Sequence, residues 1–566
     1  MTSGFFTYLF RKSDLARFIL IPVFFLALWG IISVILAVTE KKPVLTSINP
    51  PIGIPGDVIA LQGMHFGDEP GDSWVEIAGN RVSSSAYLKW TDTTILIILP
   101  GTVEDGLIYV HTSSSKSNAL AFANRNNIPI AARTDSEEGL PLITSVSGSQ
   151  SGQGTYKTGE LITLQGKNFG ITRNQSSVIF SWNIESPVPA ANRTNQHTAS
   201  IACSEHDFDY EFWSDSELRV RIPDGAVSGT VSVQSERGPG NSVPIIISNP
   251  AGTKRYTDRR TYVVSQRVTF SDISATEGNI LFVRIPRPED TPSQRNVRIS
   301  ASDPQPFMPN YKGSILHQLE NLKTGQAVSL SHQFIFYGHT TTTKINASAV
   351  KQYRNTNSPF FQKYTAADQL VPSTEPAIAA KAAEIVGKEK NPYLKAKKMY
   401  TWLVANIAYE KNANPDRAAA VALAEKKGDA YDMTILFCAL ARASGIPALP
   451  NAGILIDTSR NSRIHWWAEF WLEDFGWVPA DPAVGAGFPG PGRETPAEKN
   501  DWYFGNLDAN HIVYSRGWND QKPMTQKSRV VYRPRFFAFQ PVWEESGGNI
   551  KSYTSFWEEP KVTGVY

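Results

Sequence analysis

Apolar residues cluster at the start of the chain, alternate with polar ones through its middle, and take up helical spacing only beyond residue 376. Phe18 to Val38 is a run of 21 residues without a formal charge. At about 1.5 Å per residue it spans a hydrocarbon core of about 30 Å. Arg11, Lys12 and Arg17 precede it and Lys41 and Lys42 follow, a bias that places the N-terminus in the cytoplasm. Leu36-Ala37-Val38-Thr39 makes a poor small-residue cleavage site, so the run reads as a retained anchor rather than a signal peptide. Pro22 sits in its first turns, where amides need no intrahelical partner.

After the anchor the alternating pattern repeats. Pro43-Val44-Leu45-Thr46-Ser47-Ile48 is echoed by Pro141-Leu142-Ile143-Thr144-Ser145-Val146, and Leu61-Gln62-Gly63-Met64-His65-Phe66-Gly67 by Leu164-Gln165-Gly166-Lys167-Asn168-Phe169-Gly170. Trp90-Thr91-Asp92 leads to Pro100 as Trp213-Ser214-Asp215 leads to Pro223. Short strands, Gly-rich turns and a period of about 100 residues predict tandem β-sandwiches. The second copy carries an insertion containing Cys203. These segments, 43–125 and 140–250, resemble IPT/TIG immunoglobulin-like domains. The resemblance implies a tight turn at G-x-x-F-G, with glycine where φ is positive.

Residues 256–365 predict a third β-rich unit, with strands around Thr261–Phe270, Leu281–Pro288 and Gln333–Tyr337. Helical spacing follows: Asn391-Pro392 is an N-cap with proline at the first helical position, and Leu394, Met399, Trp402, Leu403 and Ile407 fall broadly on one side. Lys395, Lys397 and Lys398 form its solvated face.

Candidate chemistry lies between Gly428 and Pro482. Gly428-Asp429-Ala430-Tyr431-Asp432-Met433 opens a helix that stops at Gly445. His465-Trp466-Trp467-Ala468-Glu469-Phe470-Trp471-Leu472 is an aromatic strand with His465, Trp467, Glu469 and Trp471 on one face. Gly476-Trp477-Val478-Pro479-Ala480-Asp481-Pro482 returns, and a turn centred on Glu473 makes His465 and Asp481 cross-strand neighbours. A carboxylate beside an imidazole fixes its tautomer and orientation.

Together with Arg442-Ala443-Ser444-Gly445-Ile446-Pro447-Ala448, these elements resemble the transglutaminase-like family of papain-type fold. Its pattern runs G-x-C-x-[DE], R-A-x-G-I-P-A, H-x-W-x-E and G-W-x-x-x-D-P. The resemblance implies that His465 is the base and Asp481 its orienting carboxylate, and that the nucleophile position falls on Ala430. A methyl group cannot attack a carbonyl. Cys438 lies eight residues further on, about 12 Å along the helix, and cannot stand in. Asp429, Trp467, Glu469 and Trp477 are candidate cleft residues. A cysteine restored at position 430 is expected to gain a lowered pKa from the helix terminus.

The expected architecture is therefore multidomain. A cytoplasmic N-terminus (1–17) and a transmembrane helix (18–38) precede two all-β Ig-like sandwiches. The β-rich domain (256–365) and an α+β papain-like transglutaminase domain with a C-terminal extension (370–566) follow. The expected function is a membrane-anchored extracytoplasmic pseudoenzyme that binds or scaffolds a peptide, protein or cell-envelope polymer. An active amide hydrolase or transferase of unusual mechanism and a purely structural surface protein are the alternatives.

Composition narrows this further. A net charge of +2 with 19% charged residues argues against a nucleic-acid partner. Cys203 and Cys438 are the only two cysteines, which excludes a disulfide framework and predicts two buried thiols. The nine histidines are scattered, with His332 and His339 lacking partners at ligand spacing, so neither a metal site nor a cofactor is expected.

Intact-mass measurement of membrane-extracted protein is expected to give an N-terminus upstream of Phe18. A mature N-terminus near Thr39 would replace the anchor with a signal peptide.

Overall fold

The computed structural model describes residues 25–30, 42–124, 139–488 and 501–566, less 54–56, 83–85, 101–102, 114, 149–153, 174–175, 183–198, 236, 412–413, 415–416, 525–527 and 548. Most of the expected span 18–38 lies outside these. Residues 25–30 are helical, with Phe25, Leu26 and Trp29 exposed. Among the described residues no helix is long and apolar enough to cross a membrane.

The chain divides into two compact units, residues 1–131 with Tyr566, and residues 132–565. In the first, a four-stranded sheet containing Val44–Asn49 and Val58–Met64 stacks on a sheet containing Gly106–His111 and Trp74–Ile77. Ile59, Leu61, Phe66, Val75, Ile95 and Ile108 fill the space between them. The second unit opens with a sandwich of the same design around Ile162, Leu164, Phe169, Val178 and Val231. Its insertion returns as strand Ala199–Ala202 along Ser177–Trp182, and Cys203 is buried.

The two glycines of the repeated motif serve different ends, and the expected positive φ holds for the second, Gly67 and Gly170. Gly63 and Gly166 do not have positive φ. A Cβ at either would lie 2.0 Å from a carbonyl oxygen, of Val44 and Leu142 respectively, and against the ring of Phe66 or Phe169. Positive φ falls instead on His65 and Gly67, and on Asn168 and Gly170. The W-[TS]-D element closes the same turn. Trp90 and Trp213 donate their indole N–H to the carbonyls of Phe66 and Gly170, and Asp92 and Asp215 accept the amides of Gly67 and Gly170.

The β-rich region is built on β1 (Gly252–Ala275), which pairs along most of its length with β2 (Val328–Ile345). So long a strand leaves an edge to be covered. The chain's last strands, Ile550–Trp557 and Lys561–Val565, pair with it. The end of the C-terminal extension thus completes the preceding β sheet.

That domain packs α1 (Pro392–Asn406) and α2 (Ala430–Ala443) against the four-stranded sheet that carries the site. Its strands are β3 (Ala448–Ile456), β4 (Ser462–Leu472), β5 (Gly476–Ala480) and β6 (His511–Arg516), in spatial order β5-β4-β3-β6. Helix α2 is buried on nearly every side, which its sequence from Met433 to Ala441 permits because Thr434 is its sole polar side chain there. Arg442 is buried too, paired with Asp368 at 2.6 Å and donating to the carbonyls of Ala366 and Ala448. Gly445, with φ of 74°, ends the helix.

The second sandwich grips the β4–β5 hairpin. Asp207 accepts from Arg516 at 3.2 Å and from the indole of Trp477 at 3.2 Å, while Arg516 also pairs with Glu469 at 3.0 Å. His206 contacts the Arg516 carbonyl at 2.7 Å and the Tyr364 hydroxyl at 3.0 Å. Burial would raise the Asp207 carboxyl, but Arg516 and His206 together outweigh it and hold that carboxyl well below the usual range.

Asp207→Ala leaves a buried guanidinium half-paired and is expected to destabilise this unit by about 2–4 kcal/mol, read as a lower urea midpoint in tryptophan fluorescence. An unchanged midpoint would show that the sandwich merely touches the hairpin.

Candidate functional site

Three backbone features bring the site together. Ala430 is the first residue of α2 and 2% exposed. Asp429 is the N-cap: its carboxylate accepts the Asp432 amide, and the Asp432 carboxylate accepts the Asp429 amide. His465 lies on β4 opposite Gly453, which also pairs with Val513. Trp467 and Val513, on that same face, pack into one core with Ala430, Met433 and Phe437. His465 is thus on the helix-bearing side of the sheet. A Cβ on Gly453 would lie 1.9 Å from the Ile512 carbonyl, so glycine at this position lets β6 close up and delivers His511.

Asp481 meets His465, though not in the expected register. The β4–β5 ladder ends with Ala468 opposite Ala480, two residues out of step with a turn centred on Glu473. Asp481 leaves the strand to cap α3 (Pro482–Gly485), its Oδ1 accepting the amides of Ala483 and Val484 at 3.1 and 3.0 Å. From there its Oδ2 accepts Nε2 of His465 at 2.6 Å and Nε2 of His511 at 3.1 Å. His465 Nδ1, on the other side of the ring, is buried and has no hydrogen-bond partner among the described residues.

Sequence reasoning missed His511. Its Nδ1 meets Asp508 at 3.1 Å, and Asp508 also accepts the Tyr503 hydroxyl at 2.5 Å. The result is a relay His465–Asp481–His511–Asp508–Tyr503. Burial by itself would lower the His511 imidazole; the Asp508 and Asp481 carboxylates outweigh it and hold it up to about 9. Burial would raise Asp481, but the imidazoles of His465 and His511 keep its carboxyl far below the usual range. The signal available in the sequence was Asp508 three residues before His511 at the start of a strand, a pair too common to stand out.

The candidate cleft residues separate. Trp467 stacks beside His465, ring centroids 6.2 Å apart. Glu469 and Trp477 instead hold Arg516 and Asp207 at the docked sandwich. Asp429 turns to Arg535, which bonds both Asp429 at 3.1 Å and Asp432 at 2.7 Å and lies 4.3 Å over the Tyr431 ring. Phe488 covers His465 at 4.6 Å between centroids, and His465 and Asp481 are both 0% exposed. Ala430 is itself buried, in one core with Met433, Phe437 and Trp467. Cys438 is free and buried, and burial raises its thiol pKa.

His465, Asp481 and His511 each bring one ligand atom within 4.8 Å of the others. They are the natural donor set for a cation here, but both ring N–H groups point at the same carboxylate oxygen, so a metal would have to displace both protons.

Comparison with known proteins agrees with this geometry. Residues 379–482 match the family model of the transglutaminase-like superfamily. Residues 43–123 match the IPT/TIG domain. The chain therefore carries a transglutaminase-like domain preceded by an IPT/TIG domain. An uncharacterised protein of Haemophilus influenzae is 28% identical over 162 residues, 23% of this chain and 44% of its own length. A cyclomaltodextrin glucanotransferase of Niallia circulans is 28% identical over 133 residues, 24% of this chain and 17% of its own. The chain thus spans less than half the length of these curated relatives. Among solved structures, a putative cysteine protease from Cytophaga hutchinsonii is similar over 56% of this chain and 92% of its own, at 14% identity and a TM-score of 0.37. The periplasmic domain of TgpA from Pseudomonas aeruginosa covers 42% of this chain and 88% of its own, at 12% identity and a TM-score of 0.23.

The raised His511 pKa carries a pH signature. Its folded value of about 9 exceeds the ordinary 6.5, so its stabilisation is complete below 6.5 and lost as pH rises through 9. The loss is on the order of 3 kcal/mol. Thermal midpoints of the wild type should fall over that interval more steeply than those of His511→Gln. Parallel profiles would mean that His511 is not held as a cation.

Proposed function

We propose that this protein is a non-catalytic transglutaminase-like scaffold, held outside the membrane by the apolar segment 18–38 and projected by its Ig-like domains. The observation that carries the reading is Ala430 at the first turn of α2, where the family's nucleophile stands. Two further features support it. The imidazole and carboxylate that would serve a nucleophile are enclosed, and the positive end of α2 is already matched by Asp429 and Asp432 with Arg535 across them. The relay then acts as a polar pin joining β4, α3 and β6. The burial of Ala430, His465 and Asp481 favours scaffolding over capture of an extended peptide at that point.

The same features revise the expectation for a restored thiol. A helix N-terminus lowers a thiol pKa, whereas burial and nearby carboxylates raise it. Ala430→Cys should therefore resist iodoacetamide at neutral pH in the folded protein and react on unfolding. The unmodified protein should incorporate no amine into glutamine-containing peptides, and hydrolyse none, above the background of His465→Ala. Turnover that depends on His465, or rapid labelling of folded Ala430→Cys, would make the site a working one and sink the scaffold reading.

A further inference from the structure

A second concavity lies away from Ala430, where three parts of the C-terminal unit meet. The sandwich contributes Asp224 and Ser248, the start of β1 contributes Lys254 and Tyr256, and the β4–β5 turn contributes Phe475. His465 lies seven residues before the end of β4, about 23 Å along an extended strand. The cavity holds about 550 Å³, within the range of about 300–1,000 Å³ typical of small-ligand sites, which favour junctions of this kind.

Its floor is an ion pair. Lys254 Nζ bonds Asp224 Oδ1 at 2.6 Å and the Trp477 carbonyl at 2.6 Å, and both charged side chains are 8% exposed. Asp224 is locked in position: a Cβ on Gly476 would lie 2.1 Å from its Oδ1. Lys254 keeps a third N–H. Asp224 Oδ2 and the Tyr256 hydroxyl have no hydrogen-bond partner among the described residues. The hydroxyl is held beside Gly225, 3.3 Å from where a Cβ there would be. Burial raises the Asp224 carboxyl, with Lys254 opposing.

The chemistry selects the occupant. At the floor the two charges cancel, and the third, Arg255, lines the cavity from an exposed position where water screens it, so a cationic or anionic ligand reaching the floor meets an equal charge of its own sign beside the one that attracts it. Phe475 and Tyr256 are 2% and 4% exposed, so no aromatic face is open to take an apolar or planar ligand. What remains is a fixed acceptor, a fixed donor and a hydroxyl able to do either, all partly desolvated. A neutral molecule dense in hydroxyl groups matches that set. We propose that this junction binds a saccharide, through hydroxyls that donate to Asp224 and accept from Lys254. The site shares no residue with the Ala430 region, so the proposal stands whether or not the transglutaminase-like site is active.

The test titrates the full chain in detergent with maltotriose, cellotriose and chitotriose by saturation-transfer NMR and calorimetry, with triglycine and citrate as peptide and anion controls. At least one trisaccharide should bind. Ser248→Trp, which places an indole in the cavity from an exposed rim position, should weaken binding at least about tenfold. Tyr256→Phe should weaken it several-fold with no change in thermal midpoint. The proposal is overturned if all three saccharides are silent, if Ser248→Trp leaves their binding unchanged, or if triglycine or citrate binds in their place.

Discussion

A carboxylate with no access to water must find its donors inside the protein. Asp481 is that group here, and much of the domain is arranged around it. Two amides come from the helix it caps and two imidazoles from strands on either side of β3. Each donor fixes an element: α3 cannot tilt, β4 cannot slide, and β6 cannot lift away without stranding a charge. The same enclosure leaves His465 and Asp481 with no exposed surface. In a working enzyme of this pattern the imidazole would have to reach a nucleophile and a scissile bond; in this chain a phenylalanine ring packs against it, and the first turn of α2 carries Ala430.

Much of this was legible in the sequence, and the failures are instructive. The strand–turn motifs, the helix at Asn391-Pro392 and the pairing of His465 with Asp481 all rest on local chemistry, which short windows of sequence contain. The reason for Gly63 and Gly166 did not, because it lies in a close approach to Val44 or Leu142 on the preceding strand, which only the packing of the pair reveals. The hairpin register failed for a related reason. Counting outward from Glu473 treats Asp481 as a strand residue, whereas its side chain prefers the open amides of α3, and that takes it out of the ladder. Trp477 and Glu469 look like cleft residues by alternation alone; the partners that claim them are Asp207, more than 250 positions away, for Trp477, and Arg516, which also binds Asp207, for Glu469.

The docked sandwich changes what its domain type implies. Repeated Ig-like modules before a terminal domain suggest beads on a string, with each bead replaceable. Asp207 instead bonds Trp477 on the hairpin and Arg516 on β6, His206 bonds the Arg516 carbonyl, and Asp224 holds the Lys254 that bonds the Trp477 carbonyl, while Gly159 approaches Trp471 so closely that a Cβ would lie 2.8 Å from its ring. The second module is therefore a wall of the transglutaminase-like unit, and a boundary drawn between them at residue 250 would cut through an interior.

Strand β1 has a mechanical consequence. It begins directly after that sandwich and runs for 24 residues, paired with β2 on one edge and with the chain's last two strands on the other. Tension passing from the sandwich into β1 would act along the strand axis, parallel to its neighbours. Under such a load the ladder's bonds resist together, where a hairpin pulled from its open end would part them one at a time. A molecule tethered at one end and loaded at the other would gain a load-bearing spine from this strand, independent of any chemistry at the buried relay.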